Sequence, residues 1–232
     1  MPKLLLPLLT LLALGWLSPS STEREYYADR LQRCYAQYDS TKQADSTFDE
    51  YQSSYVGECL NGCYLPDLVF QTLKGDSIRL AEIERPIFMQ AFASWCRPCV
   101  EEVPALNRIV EEYQDRVAFI GLTWDDAERC QKIADKYHPA FQLVPASQEM
   151  DIRGHGAVHI DHPGFQHKLG FPTTYYVTPD KQIVEVAGGG YVTSYRKMEG
   201  DSLIEVEIMS RAELDSLTYL KFKTSLDALL DD

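Results

Sequence analysis

No apolar run in this 232-residue chain reaches the 18 to 20 residues or so that a membrane-spanning helix needs. An excess of positive charge is also missing. Against 22 Lys and Arg stand 35 Asp and Glu, a net charge of −13, so the average surface repels a phosphate backbone and nucleic-acid binding is excluded as an expectation. Low-complexity segments are absent, and with 45% hydrophobic and 11% aromatic residues the composition excludes wholesale disorder. Six cysteines are too few for a small disulfide-dense scaffold at this length. What remains is one folded domain of ordinary size with room for extensions.

How the cysteines are read depends on compartment. Residues 1–3 carry one positive charge, residues 4–17 form an apolar run of 14 broken only by Pro7, Thr10 and Gly15, and small residues follow at Ser18, Ser20 and Ser21. That build is a secretory signal, with cleavage expected near Ser20 or Ser21; an uncleaved N-terminal anchor is the alternative. The first cysteine is Cys34, so no lipoprotein junction is visible. Removing residues 1–20 takes Lys3 and no acid, leaving a charge of −14 and all six cysteines in an oxidising compartment.

Thr22 and Glu25 read as a capping box for a first helix of about 16 residues, with Tyr27, Leu31, Cys34, Tyr35 and Tyr38 at helical spacing. Residues 39–64 are polar and tyrosine-rich, with a short helix expected around 48–55. Residues 68–73 and 77–80 flank Lys74-Gly75-Asp76 as a hairpin. The near-continuous apolar runs 87–93 and 117–123 predict strands buried on both faces. Between them Val100, Val103, Leu106, Ile109, Val110 and Tyr113 predict a helix, so the unit is a β-α-β crossover in a partly parallel sheet. A helix over 126–137, a short strand at 141–144, and a hairpin of 173–178 with 182–187 follow. The tail carries one expected strand, 203–209, and a helix over 211–230 that is apolar at Leu214, Leu217, Leu220, Leu226 and Leu230.

Trp95-Cys96-Arg97-Pro98-Cys99 stands directly after the first buried strand and opens the helix. A thiol there meets unpaired N–H groups and the positive end of the helix dipole, which favour its thiolate and lower its pKa from about 8.5. Cys96 is therefore the expected nucleophile and Cys99, three residues on and further inside, the resolving thiol. Arg97 adds a nearby cation, and Pro98 sits where the helix start has spare donors. A structural disulfide, or half of a zinc site completed by Cys59 and Cys63, are the alternatives; a long amphipathic helix leading out of a buried strand favours redox work.

With these residues on view, the chain resembles the thioredoxin superfamily, and more narrowly the TlpA-like exported thiol-disulfide oxidoreductases, from about residue 66 to 189. The motifs are residues 92–99 with Glu102-Val103-Pro104-Ala105-Leu106, Pro66-Asp67 before the first hairpin, and Gly170-Phe171-Pro172-Thr173-Thr174 before the last. The resemblance implies an α/β fold, a thioredoxin-like three-layer sandwich with a mixed central sheet, to which this chain adds a helical N-terminal extension and a C-terminal strand and helix. The corresponding divisions are 1–20 signal, 21–65 extension, 66–189 core domain and 190–232 tail. It implies a cis bond before Pro172, against the active-site disulfide, leaving the preceding backbone free to pair with an extended substrate. Trp95 and Phe171 are assigned with Pro172 to substrate binding. Glu102 matches the acid that the family carries near the buried thiol; three residues from Cys99 it can share that face and, desolvated, take the Cys99 proton, the alternative being an exposed first-turn glutamate that favours the helix dipole. Pro104 would kink the helix.

His155, His159, His162 and His167 fall within 13 residues. They are read as part of a solvated loop near the active site that shapes partner choice, rather than as a metal site. Cys34, Cys59, Cys63 and Cys130 allow three connectivities. Cys59 and Cys63 could close a tight loop, or form a second redox pair, while Cys34 and Cys130 lie on apolar helix faces as candidate buried thiols. The expected function is thiol-disulfide exchange on exported proteins, outside the cytoplasmic membrane or in a bacterial periplasm. No organic cofactor or metal is called for. The partners are protein disulfides and a membrane electron donor. The reductase direction comes from the resemblance alone; a disulfide oxidase or isomerase, or a non-catalytic binding module, are the other possibilities. The physiological client and the oligomeric state are not legible.

Overall fold

The structure is a computed structural model that describes residues 24–146, 159–200 and 202–231. The expected signal segment, Thr22 of the capping box and His155 lie outside the described residues. In chain order the elements are α1 (Tyr27–Ala44), α2 (Gln52–Cys59), β1 (Val69–Gln71), β2 (Ser77–Arg79), β3 (Ile87–Phe92), α3 (Arg97–Glu101), α4 (Val103–Tyr113), β4 (Ala118–Thr123) and α5 (Ala127–Ile133). They continue with β5 (Phe141–Val144), β6 (Ile160–His162), β7 (Phe165–His167), β8 (Thr173–Val177), β9 (Ile183–Gly188), β10 (Ser194–Glu199), β11 (Ser202–Glu207) and α6 (Arg211–Asp231).

The central sheet has the order β5-β4-β3-β8-β9. β3 runs parallel to β4 and β4 to β5, whereas β3–β8 and β8–β9 are antiparallel, so the sheet is mixed. Every residue of β3, β4 and β8 is buried. Alternation sorts their side chains into two layers. Ile87, Met89, Ala91, Tyr175 and Val177 pack with Tyr27, Leu31, Val56 and Leu60 of the N-terminal segment. Phe88, Phe92, Phe119 and Tyr176 pack with Leu106, Ile109 and Val110 of α4 and with Phe222, Leu226 and Leu229 of α6. Helices on both faces of a mixed sheet make the three-layer α/β sandwich that the resemblance implies. Gly121 marks how tightly β4 is covered: a Cβ there would stand 2.5 Å from the Phe141 ring.

Residues 62–65 lie along the β9 edge, with Gly62 N–H donating to the Ile183 carbonyl at 2.7 Å and Ile183 N–H to the Cys63 carbonyl at 2.8 Å. An edge that would otherwise offer bare donors and acceptors is thereby closed.

Several expectations need correction. The first helix starts at Tyr27, and the short helix of the extension lies at Gln52–Cys59, downstream of 48–55. Cys34 and Cys59 form a disulfide, stapling α1 to the end of α2, while Cys63 and Cys130 are buried free thiols. Cys59 therefore neither closes a loop with Cys63 nor completes a zinc site with it, because its sulfur is taken. From residue 160 on, the His-rich segment is a hairpin, β6 with β7, rather than a solvated loop, and His162 and His167 are buried in it. The tail holds two strands where one was expected: β10 pairs antiparallel with β11 across Gly200. On α6 the buried residues are Leu214, Thr218, Phe222, Leu226 and Leu229, whereas Leu217 and Leu220 are exposed. Burying Phe222 alone is worth about 2–3 kcal/mol.

Candidate active site

β3 ends at Phe92, and the chain turns through Ala93, Ser94 and Trp95 into α3. Asp125, just past the neighbouring β4, fixes that turn. Its buried carboxylate accepts from Ser94 N–H at 2.7 Å, Ser94 Oγ at 2.6 Å and Thr123 Oγ1 at 2.7 Å. Cys96 is the N-cap of α3, with extended backbone, and its Sγ accepts from Cys99 N–H at 3.3 Å. A side chain at this position meets the orphan donors of the helix start. Cys96 and Cys99 are joined as a disulfide, both buried. Cys99 is thus only marginally deeper than Cys96 in this oxidised form (3% against 5% exposed).

The helix does not run unbroken to Tyr113. Pro104 has no N–H to give the preceding turn, and α3 passes to α4 at Glu102, whose backbone stays helical. The break leaves Glu102 buried, 3% exposed, at the joint. Gln90, pointing from β3 into the same layer, donates from Nε2 to Glu102 Oε1 at 2.8 Å. Burial pushes the Glu102 carboxyl up to about 8, against the pull of Lys221 and the Gln90 hydrogen bond. A carboxyl near neutrality, three residues from Cys99 in the chain, can take up or release a proton near neutral pH.

The Phe171–Pro172 peptide is cis. The chain after β9 passes close beside it: Gly189 N–H donates to the Pro172 carbonyl at 2.8 Å. At Gly190 a Cβ would stand 3.0 Å from Pro98 Cβ, 3.2 Å from Pro172 Cγ and 3.2 Å from Glu102 Oε2. A side chain at this position would force the two prolines or the acid to shift by a few tenths of an ångström. Trp95 is 53% exposed and meets Trp124 and Phe171 edge-on, at 5.6 and 5.9 Å between centroids. Phe171, half-buried, stacks on the His167 ring at 5.4 Å. The structure therefore joins Cys96 to Cys99, sets Pro98, Glu102 and Pro172 around Gly190, and pairs the exposed Trp95 with the half-buried Phe171.

His167 is part of the support beneath that pair. Its Nε2 lies 2.7 Å from the Gly170 carbonyl, which can only accept, so Nε2 carries the proton and Nδ1 accepts from Tyr175 Oη at 2.7 Å. Burial holds this ring neutral, with a pKa pulled down to about 4. Tyr27 of α1 donates to the Gln166 carbonyl at 2.8 Å, tying the N-terminal layer to the same loop. Among the described residues no group of three or more His, Cys, Asp or Glu is placed to hold a metal ion.

Arg97 does not project freely beside Cys96. Its guanidinium reaches Glu101 Oε1 at 3.0 Å, Ser194 Oγ at 2.6 Å and Glu205 Oε1 at 3.6 Å, binding the active-site helix to the β10–β11 hairpin. Burial works to raise the Glu101 carboxyl, but the Thr193 N–H and hydroxyl and Arg97 together hold it below the usual range. Sequence reasoning missed Gln90, Asp125, Gly190 and Glu101. Asp125 had one readable signal, its place directly after a buried strand next to the one that carries the cysteines.

A strand that delivers a Cys-x-x-Cys disulfide to a helix start, across from a cis-proline loop, defines a thioredoxin-like dithiol protein. The chain belongs to the AhpC/TSA family, whose model matches residues 62–186, more than half of its length. It is similar to "Thioredoxin-like protein YneN" of Bacillus subtilis, 26% identical over 157 residues that cover 66% of this chain and 84% of that protein. It is also similar to "Thiol-disulfide oxidoreductase ResA" of Halalkalibacterium halodurans, 28% identical over 127 residues, 53% of this chain and 66% of that one. Among solved structures, a thio-disulfide isomerase from Thermus thermophilus aligns with 26% identity and a TM-score of 0.43, over 57% of this chain and 88% of its own.

Proposed function

We propose that this chain is a thiol-disulfide oxidoreductase that works on exported proteins, in the reductase direction. The observation that carries this reading is Cys96 Sγ at the α3 N-cap, receiving the Cys99 N–H, with the buried Glu102 three residues beyond Cys99. In the reduced protein the Cys96 thiolate attacks one sulfur of a client disulfide. A Cys96–client mixed disulfide forms, and the other client sulfur leaves as a thiolate. Glu102 takes the Cys99 proton, and the Cys99 thiolate attacks Cys96 Sγ, closing the Cys96–Cys99 disulfide and releasing the second client thiolate. Two electrons pass from the dithiol to the client; a membrane dithiol partner must return them.

The reductase direction is supported by the setting of Arg97. Its charge is offset by Glu101 and Glu205, which leaves the Cys96 thiolate less stabilised than a free cation would, and a less stabilised dithiol is the stronger reductant. Export is supported by the apolar residues 4–17 and by the Cys34–Cys59 disulfide, a staple that lasts in an oxidising compartment. Among the described residues no helix is long and apolar enough to cross a membrane.

The test is Cys99→Ala, which should stall the exchange at Cys96 and accumulate a mixed disulfide with reducible client proteins. Titration of the wild-type pair against a glutathione buffer should give a midpoint below about −200 mV. A midpoint near about −120 mV would make the protein an oxidase, and absence of any trapped adduct would sink the exchange reading itself.

A further inference from the structure

The C-terminal helix does more than cover the sheet. Lys221 stands between the exposed Leu220 and the buried Phe222, on the flank of α6 that reaches the turn after β9. It is half-buried, and its Nζ donates to the Gly189 carbonyl at 2.7 Å. Gly189 also donates its N–H to the Pro172 carbonyl, and the next residue, Gly190, lies against Pro98, Pro172 and Glu102 Oε2. A single tight turn therefore links the lysine to the cis-proline loop and the acid. An ammonium withdrawn from water in this way costs free energy that a surface lysine would not, and it needs a compensating partner.

The groups that face this compartment come from several elements. Glu102 stands at the α3–α4 joint, Glu185 on β9, Tyr176 on β8, and Tyr137 follows α5, while Gln90 of β3 is neutral. Burial pulls the Lys221 ammonium down, whereas Glu102 and Glu185 pull it up. The tyrosines are pushed upward and stay neutral. Held on the Gly189 carbonyl, one residue before the glycine that lies against Glu102 Oε2, Lys221 is a cation placed to act on that carboxyl.

We propose that Lys221 is a positioning residue of the dithiol site: clamped on the Gly189 carbonyl, its ammonium stabilises the Glu102 carboxylate and keeps it able to accept the Cys99 proton near neutral pH. The inference rests on the exchange reading above. The step is Cys99 thiol plus Glu102 carboxylate giving Cys99 thiolate plus Glu102 carboxylic acid; Lys221 stays an ammonium and no electrons move.

The experiment compares wild type, Lys221→Met and Lys221→Arg in the full chain. The readouts are the rate at which Cys99 resolves a preformed Cys96–glutathione mixed disulfide from pH 5 to 10, and the alkylation rate of reduced Cys96 over the same range. Lys221→Met should move the rising limb of the resolution profile up by about one pH unit and slow resolution about tenfold at pH 7. The Cys96 alkylation profile should not move, and Lys221→Arg should restore most of the rate. A Lys221→Met resolution profile that superimposes on wild type, or that falls equally at every pH, would overturn the proposal. Should Lys221→Met not fold, Lys221→Gln answers the same question. A wild type that resolves no mixed disulfide would overturn the exchange reading instead, so the two failures are distinct.

Discussion

Replacing Glu102 by glutamine keeps the shape of the side chain and its acceptor for Gln90 Nε2, but removes the charge that burial disfavours. In the folded, oxidised protein this carboxyl holds its proton up to about 8, while the ordinary value is 4.5. Between those two pH values the native state therefore binds more protons than the unfolded chain. The stability this group contributes is therefore fully present below that window, falls as pH rises through it and is gone above it. At 1.36 kcal/mol for each factor of ten, the whole displacement is roughly 5 kcal/mol; relaxation and water entry bring the expected figure to roughly 3–5 kcal/mol. The assay is urea unfolding of the oxidised wild type and Glu102→Gln at pH 5 and pH 9, read as the difference between them so that other titrating groups cancel. The variant should gain that amount on the wild type between the two pH values. An equal difference at pH 5 and pH 9 would refute a desolvated, proton-holding Glu102. The same substitution should slow resolution by Cys99 about 10²-fold or more and remove its pH-dependent limb.

Two further outcomes follow from packing. Breaking the Cys34–Cys59 staple with Cys34→Ala and Cys59→Ala together should cost about 3 kcal/mol, from the loop of 25 residues it closes, as measured by chemical denaturation; the Cys96–Cys99 midpoint should not move. Gly190→Ala drives a methyl group against Pro98, Pro172 and Glu102, and should cost about 1–3 kcal/mol in denaturation while slowing insulin reduction at least severalfold. Unchanged insulin reduction would show that the glycine turn has room to spare.

Much of the core and part of the site can be read from the sequence because the signals are local. Residues 87–92 are apolar except for Gln90 and show no alternation, as a strand buried on both faces requires, and the Cys-x-x-Cys pair that follows falls at a helix start by position alone. Glu102 is three residues from Cys99 on that helix. The features that escaped depend on distant chain segments. Nothing in the spacing of Cys34 and Cys59 singles out that pairing, because it is decided by how α2 lies against α1. His167 reads as a surface residue until Tyr175 and the Gly170 carbonyl satisfy both ring nitrogens and allow it to be buried. The Ser-Tyr-Arg-Lys-Met-Glu run of β10 has no apolar alternation, since only Ser194 is covered and the rest faces water. On α6 leucine spacing pointed to Leu217 and Leu220, whereas the contact with β8 and α4 selects Thr218 and Phe222, and that rotation brings Lys221 onto the Gly189 carbonyl.

The most direct measurement is the rate at which iodoacetamide modifies Cys96 in the reduced protein across a pH series, with Cys63 and Cys130 replaced by alanine. Burial pushes both of those thiols up to about 12, so their loss should leave the profile intact. A sulfur held at the N-cap should give a midpoint at least about one pH unit below the ordinary thiol value near 8.5. A midpoint at or above that ordinary value would contradict the assignment of Cys96 as an activated nucleophile.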